Sequence, residues 1–230
     1  MPDEIKKNAE SLERPNRYFI KMAFLSIAVI ITGVVGLDQI SKIHAEKELM
    51  VWTHDENLDE YQGRRLPLLS FGERLSASPK SKTFFISFNL NYVRNQGAAW
   101  GAFSKMDDKF RVPFFYGVTT IAVIMIMFFF KTTPREHRLA RYALVLIFSG
   151  AVGNFVDRIR LGYVIDWIDV NWNILGWRYY FPNFNIADSA ITVGVSFLLF
   201  DMIVLETIRQ KTAKSKKANE GKALYEPKSA

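Results

Sequence analysis

Hydrophobic and polar positions are sorted along this chain into long blocks. Four windows are nearly or wholly free of charge: Met22 to Leu37, Val112 to Phe130, Tyr142 to Val156, and Ser189 to Leu205, the last interrupted only by Asp201. With snorkelling residues such as Lys21 and Arg141 at their ends, each reaches the roughly 20 residues that a helix needs to cross a bilayer. Nearly all the charge lies between these runs, leaving little amphipathic surface to cover a water-soluble core. The pattern predicts one domain of four transmembrane helices over residues 18–208, a charged arm over 1–17, and a basic tail over 209–230. That tail lacks periodicity and is expected to be disordered. No small-residue cleavage site follows the first window, so it reads as a retained helix, not a secretory signal.

The connections differ in character. Thr83 to Val93, TFFISFNLNYV, is rich in aromatic and β-branched residues with partial period-2 alternation, and predicts one or two strands. Upstream, residues 52–82 are largely polar and punctuated by Gly63, Pro67, Gly72 and Pro79, which predicts an exposed insertion. The resulting fold class is a membrane all-α protein with a small β element in the loop between helices 1 and 2. The inner connection, KTTPREHR with Pro134, reads as a short hairpin.

Charge sets an orientation. Lys and Arg number five in residues 1–21, four from Lys131 to Arg141 and seven from Glu206 to Ala230, but three in the 32 residues from Asp157 to Asp188. Both termini are therefore expected in the cytoplasm. The net charge of +7 becomes an inner lipid-surface feature, not a nucleic-acid signature. All five tryptophans, Trp52, Trp100, Trp167, Trp172 and Trp177, fall on the outer side, as in an interface belt.

Candidate chemistry follows from what is scarce. The chain has no cysteine, and its three histidines, His44, His54 and His137, stand apart without an HExxH helix, so thiol and zinc chemistry are not expected. Ser41 and Lys42 are adjacent, and helix neighbours point about 100° apart, which disfavours a serine and lysine pair. Carboxylates remain. Asp38 ends the first span, Asn154 and Asp157 end the third, and Asp188 opens the fourth, so polar groups from three helices reach one membrane face. Asp166 and Asp188 bracket an aromatic-rich connection, with Asp169 a further acid within it. Two carboxylates held together can share one proton and activate water. At a helix N-terminus the dipole would favour the Asp188 anion, while the division of labour within the pair stays open. Asn95 and Gly97, in a run of small residues before the second span, offer amide atoms and close backbone approach at the same face. Asp201, about 13 residues into the fourth span, is expected to snorkel or pair with another helix.

Five ordered blocks carry a resemblance. Asp38-Gln39-Ile40-Ser41-Lys42, Tyr92 to Trp100 (YVRNQGAAW), Gly153 to Arg158 (GNFVDR), Gly162 to Trp167 (GYVIDW) and Phe184 to Ile191 (FNIADSAI) together resemble the lipoprotein signal peptidases, or signal peptidase II, of bacterial inner membranes. The resemblance implies an endopeptidase that cuts prolipoproteins before a diacylglyceryl-modified cysteine, working as a monomer among membrane lipids without a cofactor or metal. It maps the catalytic aspartates to Asp166 and Asp188, and makes Asp38, Lys42, Asn95, Asn154, Arg158 and Asn185 residues that line or brace the site. Asp157 is the competing acid for the first catalytic place, ranked second and expected in an ion pair. Gln96, Trp100 and the insertion over 52–82 depart from the family pattern, which leaves the outer loop's shape open. The rival classes are a proton-coupled transporter, a serine and lysine peptidase, and a noncatalytic assembly factor.

Overall fold

The computed structural model describes residues 17–52, 61–63, 65–71, 84–97, 103 and 106–225. Four helices are long and apolar enough to cross a membrane: α1 (Arg17–Leu49), α2 (Asp108–Thr132), α3 (Arg138–Leu161) and α4 (Ile186–Phe200), the last continuing through a π-helical turn (Asp201–Leu205) into α5 (Glu206–Tyr225). Their outward faces carry Phe24, Ile40, Ile121, Phe128 and Ile203, all exposed. Such a surface is costly in water and at no disadvantage against lipid tails.

The helix bundle is organised around α3, whose apolar window is 44 % buried against 6 % for α1. Two small residues allow α3 its close neighbours. A Cβ on Gly150 would lie 2.3 Å from the Ala187 carbonyl oxygen at the start of α4, and one on Gly153 would lie 2.8 Å from Asp38 Oδ2 on α1. Glycine at these positions admits a backbone and a carboxylate that any side chain would displace.

At 33 residues, α1 spans about 50 Å, longer than the roughly 30 Å hydrocarbon core. Ala45 and Leu49, in its last two turns, pack with Tyr92 and Ile165 in a small core that fastens a β-sheet to the bundle. That sheet is antiparallel in the order β3 (Leu66–Phe71), β4 (Phe85–Asn95), β5 (Val164–Ile174) and β6 (Trp177–Tyr180). A separate pair, β1 (Met50–Trp52) and β2 (Tyr61–Gly63), follows α1 directly.

The structure extends the sequence reading in three places. The segment over 83–93 is one strand, β4, but its main partner is β5, from the connection between α3 and α4, so the sheet draws on that connection and on the one between α1 and α2. The connection treated as an aromatic loop is a β-hairpin turning at Leu175 and Gly176, both with positive φ, as a tight two-residue turn requires. The alternation Ile168-Asp169-Val170-Asn171-Trp172-Asn173-Ile174 was the available signal. Part of the insertion is sheet as well: β3 pairs with β4 and places Arg65 beside Asp169, while 53–60 and 72–82 lie outside the described residues. Finally, where a disordered tail was expected, the chain stays helical to Tyr225. Lys, Ala, Glu and Gln are strong helix formers, and propensity prevails here without an apolar stripe.

Candidate functional site

Asp166 is the third residue of β5 and Asp188 the third of α4. What closes the gap between them is the return of the chain along β5. Phe181 N–H donates to the Val170 carbonyl at 2.9 Å, Phe184 N–H to that of Ile168 at 3.1 Å, and Ile168 N–H to that of Phe184 at 2.9 Å. The return places Asn185 beside Asp166. Asn185 then caps α4 reciprocally: its side chain accepts from Asp188 N–H at 2.9 Å, and Asp188 Oδ2 accepts from Asn185 N–H at 3.3 Å.

Three side-chain amides hold the two carboxylates. Asn95, which faces Val164 across the β4–β5 ladder, donates to Asp166 Oδ2 at 2.9 Å; Asn185 donates to Asp166 Oδ1 at 2.8 Å; Asn154, on α3, donates to Asp188 Oδ1 at 2.7 Å. The Asn154 orientation is fixed by chemistry. Its Oδ1 faces Lys42 Nζ at 2.9 Å, and an ammonium group only donates, so the amide nitrogen must face Asp188. Asp166 is 2 % exposed, and burial first, then the charge of Asp188, push its carboxyl up to about 7.

Both acids line one open cleft of about 530 Å³. Its walls include Gly97, Arg158, Phe181 and Phe184, and it runs along α4 past Ser189, Thr192 and Val193. Arg158 donates to the carbonyls of Gly97 at 3.3 Å and Asn154 at 3.5 Å, with its guanidinium 4.9 Å over the Phe115 ring.

Asp38, Lys42 and Asp157 stand behind this wall, each 0 % exposed. Lys42 Nζ lies 2.8 Å from Asp38 Oδ2 and 2.8 Å from Asp157 Oδ2. Asp157 is thus in the expected ion pair, turned away from the cleft that Asp166 lines. Gln39, absent from the sequence-based site, donates to Asp157 Oδ1 at 2.9 Å and to the Gly153 carbonyl at 3.1 Å. An uncharged residue between Asp38 and Ile40 gave no chemical signal.

Other candidates go elsewhere. Ser41 Oγ donates to the Asp38 carbonyl at 2.8 Å, and Lys42 is committed to carboxylates, so the two form no pair. Asp201 meets Arg209, eight residues on in the same continuous helical segment, through two bonds of 2.9 and 3.0 Å. Gln96 accepts from Arg111 at 3.3 Å. Of the tryptophans, Trp177 is exposed and Trp172 stacks on Tyr179 at 4.8 Å; the Trp52 side chain and Trp100 lie outside the described residues. Among the described residues, no three His, Cys, Asp or Glu side chains gather so as to hold a metal ion.

Helices long and apolar enough to cross a membrane, beside a sheet and a largely apolar cleft that holds two carboxylates, suit a membrane enzyme. Two solved structures described as bacterial membrane enzymes are similar to it, with TM-scores of 0.53 and 0.54 and 32 % and 31 % identity; the matches cover 77 % and 78 % of this chain and 90 % and 93 % of those chains. A lipoprotein signal peptidase of Geobacter metallireducens is 50 % identical over 116 residues, covering 50 % of this chain and 68 % of that protein. One from an Anaeromyxobacter species is 39 % identical over 188 residues, covering 80 % and 86 %. Residues 30–204 match the family model described as signal peptidase (SPase) II. The chain belongs to the signal peptidase II family and is a membrane peptidase.

Proposed function

We propose that this peptidase removes signal peptides from prolipoproteins by aspartic chemistry, with Asp166 and Asp188 as the catalytic pair. One observation carries the reading: a buried carboxylate, Asp166, and a half-buried one, Asp188, share a cleft, held by amide and backbone donors, while the nearby lysine is spent on two other acids. At rest Asp166 keeps the proton, in line with its raised carboxyl, and Asp188 is the base. A water between them gives a proton to Asp188 and attacks the scissile carbonyl carbon, as Asp166 protonates the carbonyl oxygen. The tetrahedral species collapses when its C–N bond breaks. Asp188 passes its proton to the leaving nitrogen, and the diol returns one to Asp166.

The substrate reading follows from the cleft's place beside lipid-facing helices. A diacylglyceryl-modified cysteine would keep its acyl chains in the bilayer, with the signal helix against α4 and the scissile bond at the two carboxylates. Asn95, Asn154 and Asn185 hold the carboxylates, while Gly97 and Arg158 line the substrate path. The enzyme acts as a monomer in the bacterial cytoplasmic membrane, both termini inside and the cleft near the outer face, in accord with the distribution of Lys and Arg. No cofactor has a step in this scheme.

The test is cleavage of a lipid-modified precursor by purified protein, with Asp166→Asn and Asp188→Asn assayed separately. Both should be inactive, and full activity in either one rules out the pair. Orientation is checked in the same cysteine-free chain: Leu175→Cys should react with a membrane-impermeant maleimide added outside intact spheroplasts, whereas a cysteine at Lys216 should not.

A further inference from the structure

Among the described residues, the most completely buried charges make no hydrogen bond to either carboxylate of the proposed pair, yet their bonds lead to both of them. Lys42 has three protons to donate, and all three are used. One goes to Asp38 Oδ2 at 2.8 Å; the other oxygen of Asp38 accepts from the backbone N–H of Ala187 at 2.9 Å, the residue directly before Asp188. The second goes to Asp157 Oδ2 at 2.8 Å, which also accepts from the backbone N–H of Ile165 at 3.2 Å, the residue directly before Asp166. The third goes to Asn154 Oδ1 at 2.9 Å, and the nitrogen of that amide donates to Asp188. Gln39 makes a second bridge, to Asp157 Oδ1 at 2.9 Å and Asp38 Oδ2 at 3.3 Å.

The symmetry of this wiring is hard to account for by stability alone. Burying three ions is costly, and one apolar cluster would brace three helices as well or better. A cation between two acids does something that apolar packing cannot. It draws them to a fixed spacing, and here each acid grips the peptide N–H immediately preceding one of the two aspartates. Resting on the proposed pair, we propose that Lys42, Asp38 and Asp157 form an ionic yoke that sets the separation of Asp166 and Asp188, as positioning residues for the reaction. The α1 helix thereby controls the spacing of two groups that β5 and α4 carry.

Asparagine at 38 or 157 keeps the volume but offers one acceptor oxygen where the carboxylate had two. It must set an amide donor against Lys42, Gln39 or the backbone N–H. Misplacing a reacting group by about 1 Å costs on the order of 10²-fold, so Asp38→Asn, Asp157→Asn and Lys42→Met should each lower kcat by about that factor. KM for the lipid-modified precursor should stay within about threefold, because none of the three side chains lines the cleft. The two arms set one distance, so the double variant Asp38→Asn/Asp157→Asn should be little worse than the poorer single. The pH-rate profile should also shift in every variant, since the coupling between Asp166 and Asp188 depends on their spacing.

The measurement is kcat, KM and the pH-rate profile, per mole of detergent-purified folded enzyme, beside the thermal midpoint. A lowered midpoint with wild-type kcat and an unmoved profile overturns the yoke and leaves a brace for the fold. Additive losses in the double variant also overturn it, since they would mean two independent supports. So does failure of all three single variants to fold. Wild-type kcat in these variants, with Asp166→Asn and Asp188→Asn inactive, rejects the yoke alone; activity in either of the latter rejects the pair itself.

Discussion

Asp166 and Asp169 stand three residues apart on one strand, both nearly buried, and the pleat sends them to opposite faces. Asp169 is closed off by charge: Arg65 pairs with it, and Asn89 and Asn171 donate to it at 3.1 Å each. Asp166 receives amide donors from Asn95 and Asn185 and faces a cleft that holds a second carboxylate. A buried acid paired with its own cation is satisfied and inert. One held by neutral donors opposite another acid keeps a proton near neutral pH, and is equipped for proton transfer. The same contrast separates the two ends of α4 and its extension, where Asp201 is closed by Arg209 and Asp188 is left to amides.

The widest separation is expected in turnover. On the proposed reading, Asp166→Asn should lower kcat by about 10³-fold or more, the usual worth of a general acid or base, while Asp169→Asn should stay within about threefold of wild type. Equal losses in a precursor-cleavage assay would erase the distinction between the faces. Next come the amides. Asn154→Ala should cost about 10²-fold, the usual effect of letting a reacting group drift by about 1 Å, whereas Asn89→Ala on the opposite face should leave kcat nearly unchanged.

A pH series sharpens the comparison further. With its carboxyl raised to about 7, Asp166 loses the proton it must donate as pH rises, so kcat/KM should fall about tenfold per unit above that point. Stability should follow the same sign. A carboxyl lifted from 3.8 to about 7 on folding contributes stability that is fully present below 3.8 and is lost as pH rises through about 7. The thermal midpoint of the wild type should therefore decline between pH 5 and 8 more steeply than that of Asp166→Asn. The smallest effect belongs to the closed face. Arg65 is half exposed, so Arg65→Ala should cost only about 1 kcal/mol, read by thermal denaturation, with no change in the pH-rate profile.

The helices were legible because lipid demands a simple code: long uncharged windows that satisfy their own backbone. The strand β4 was legible from its aromatic and β-branched content, but its partner was not, since pairing joins residues some 80 positions apart in the chain. The same holds for Asp169, whose partner Arg65 lies in the polar insertion and left no local trace. The hairpin β5–β6 was missed although its polar and apolar residues alternate, because the abundance of aromatic side chains drew the reading toward a loop. The tail over 209–230 was expected to be disordered for the opposite reason, and the structure is helical through Tyr225. Its want of an apolar stripe suggested disorder, while its residues favour a helix that continues from the span.

The sequence by itself determined that four helices cross a membrane and which acids gather near their ends, because hydropathy and charge are properties of local stretches. It also singled out Asp166 and Asp188 through motifs that resemble a family. Tertiary structure alone decided which acids are neutralised and which are left to amides. Lys42 could have served any of several carboxylates within its reach. The approach of α1 to α3 at Gly153 and the return of the chain along β5 commit it to Asp38 and Asp157, and Asp166 and Asp188 are left facing one cleft.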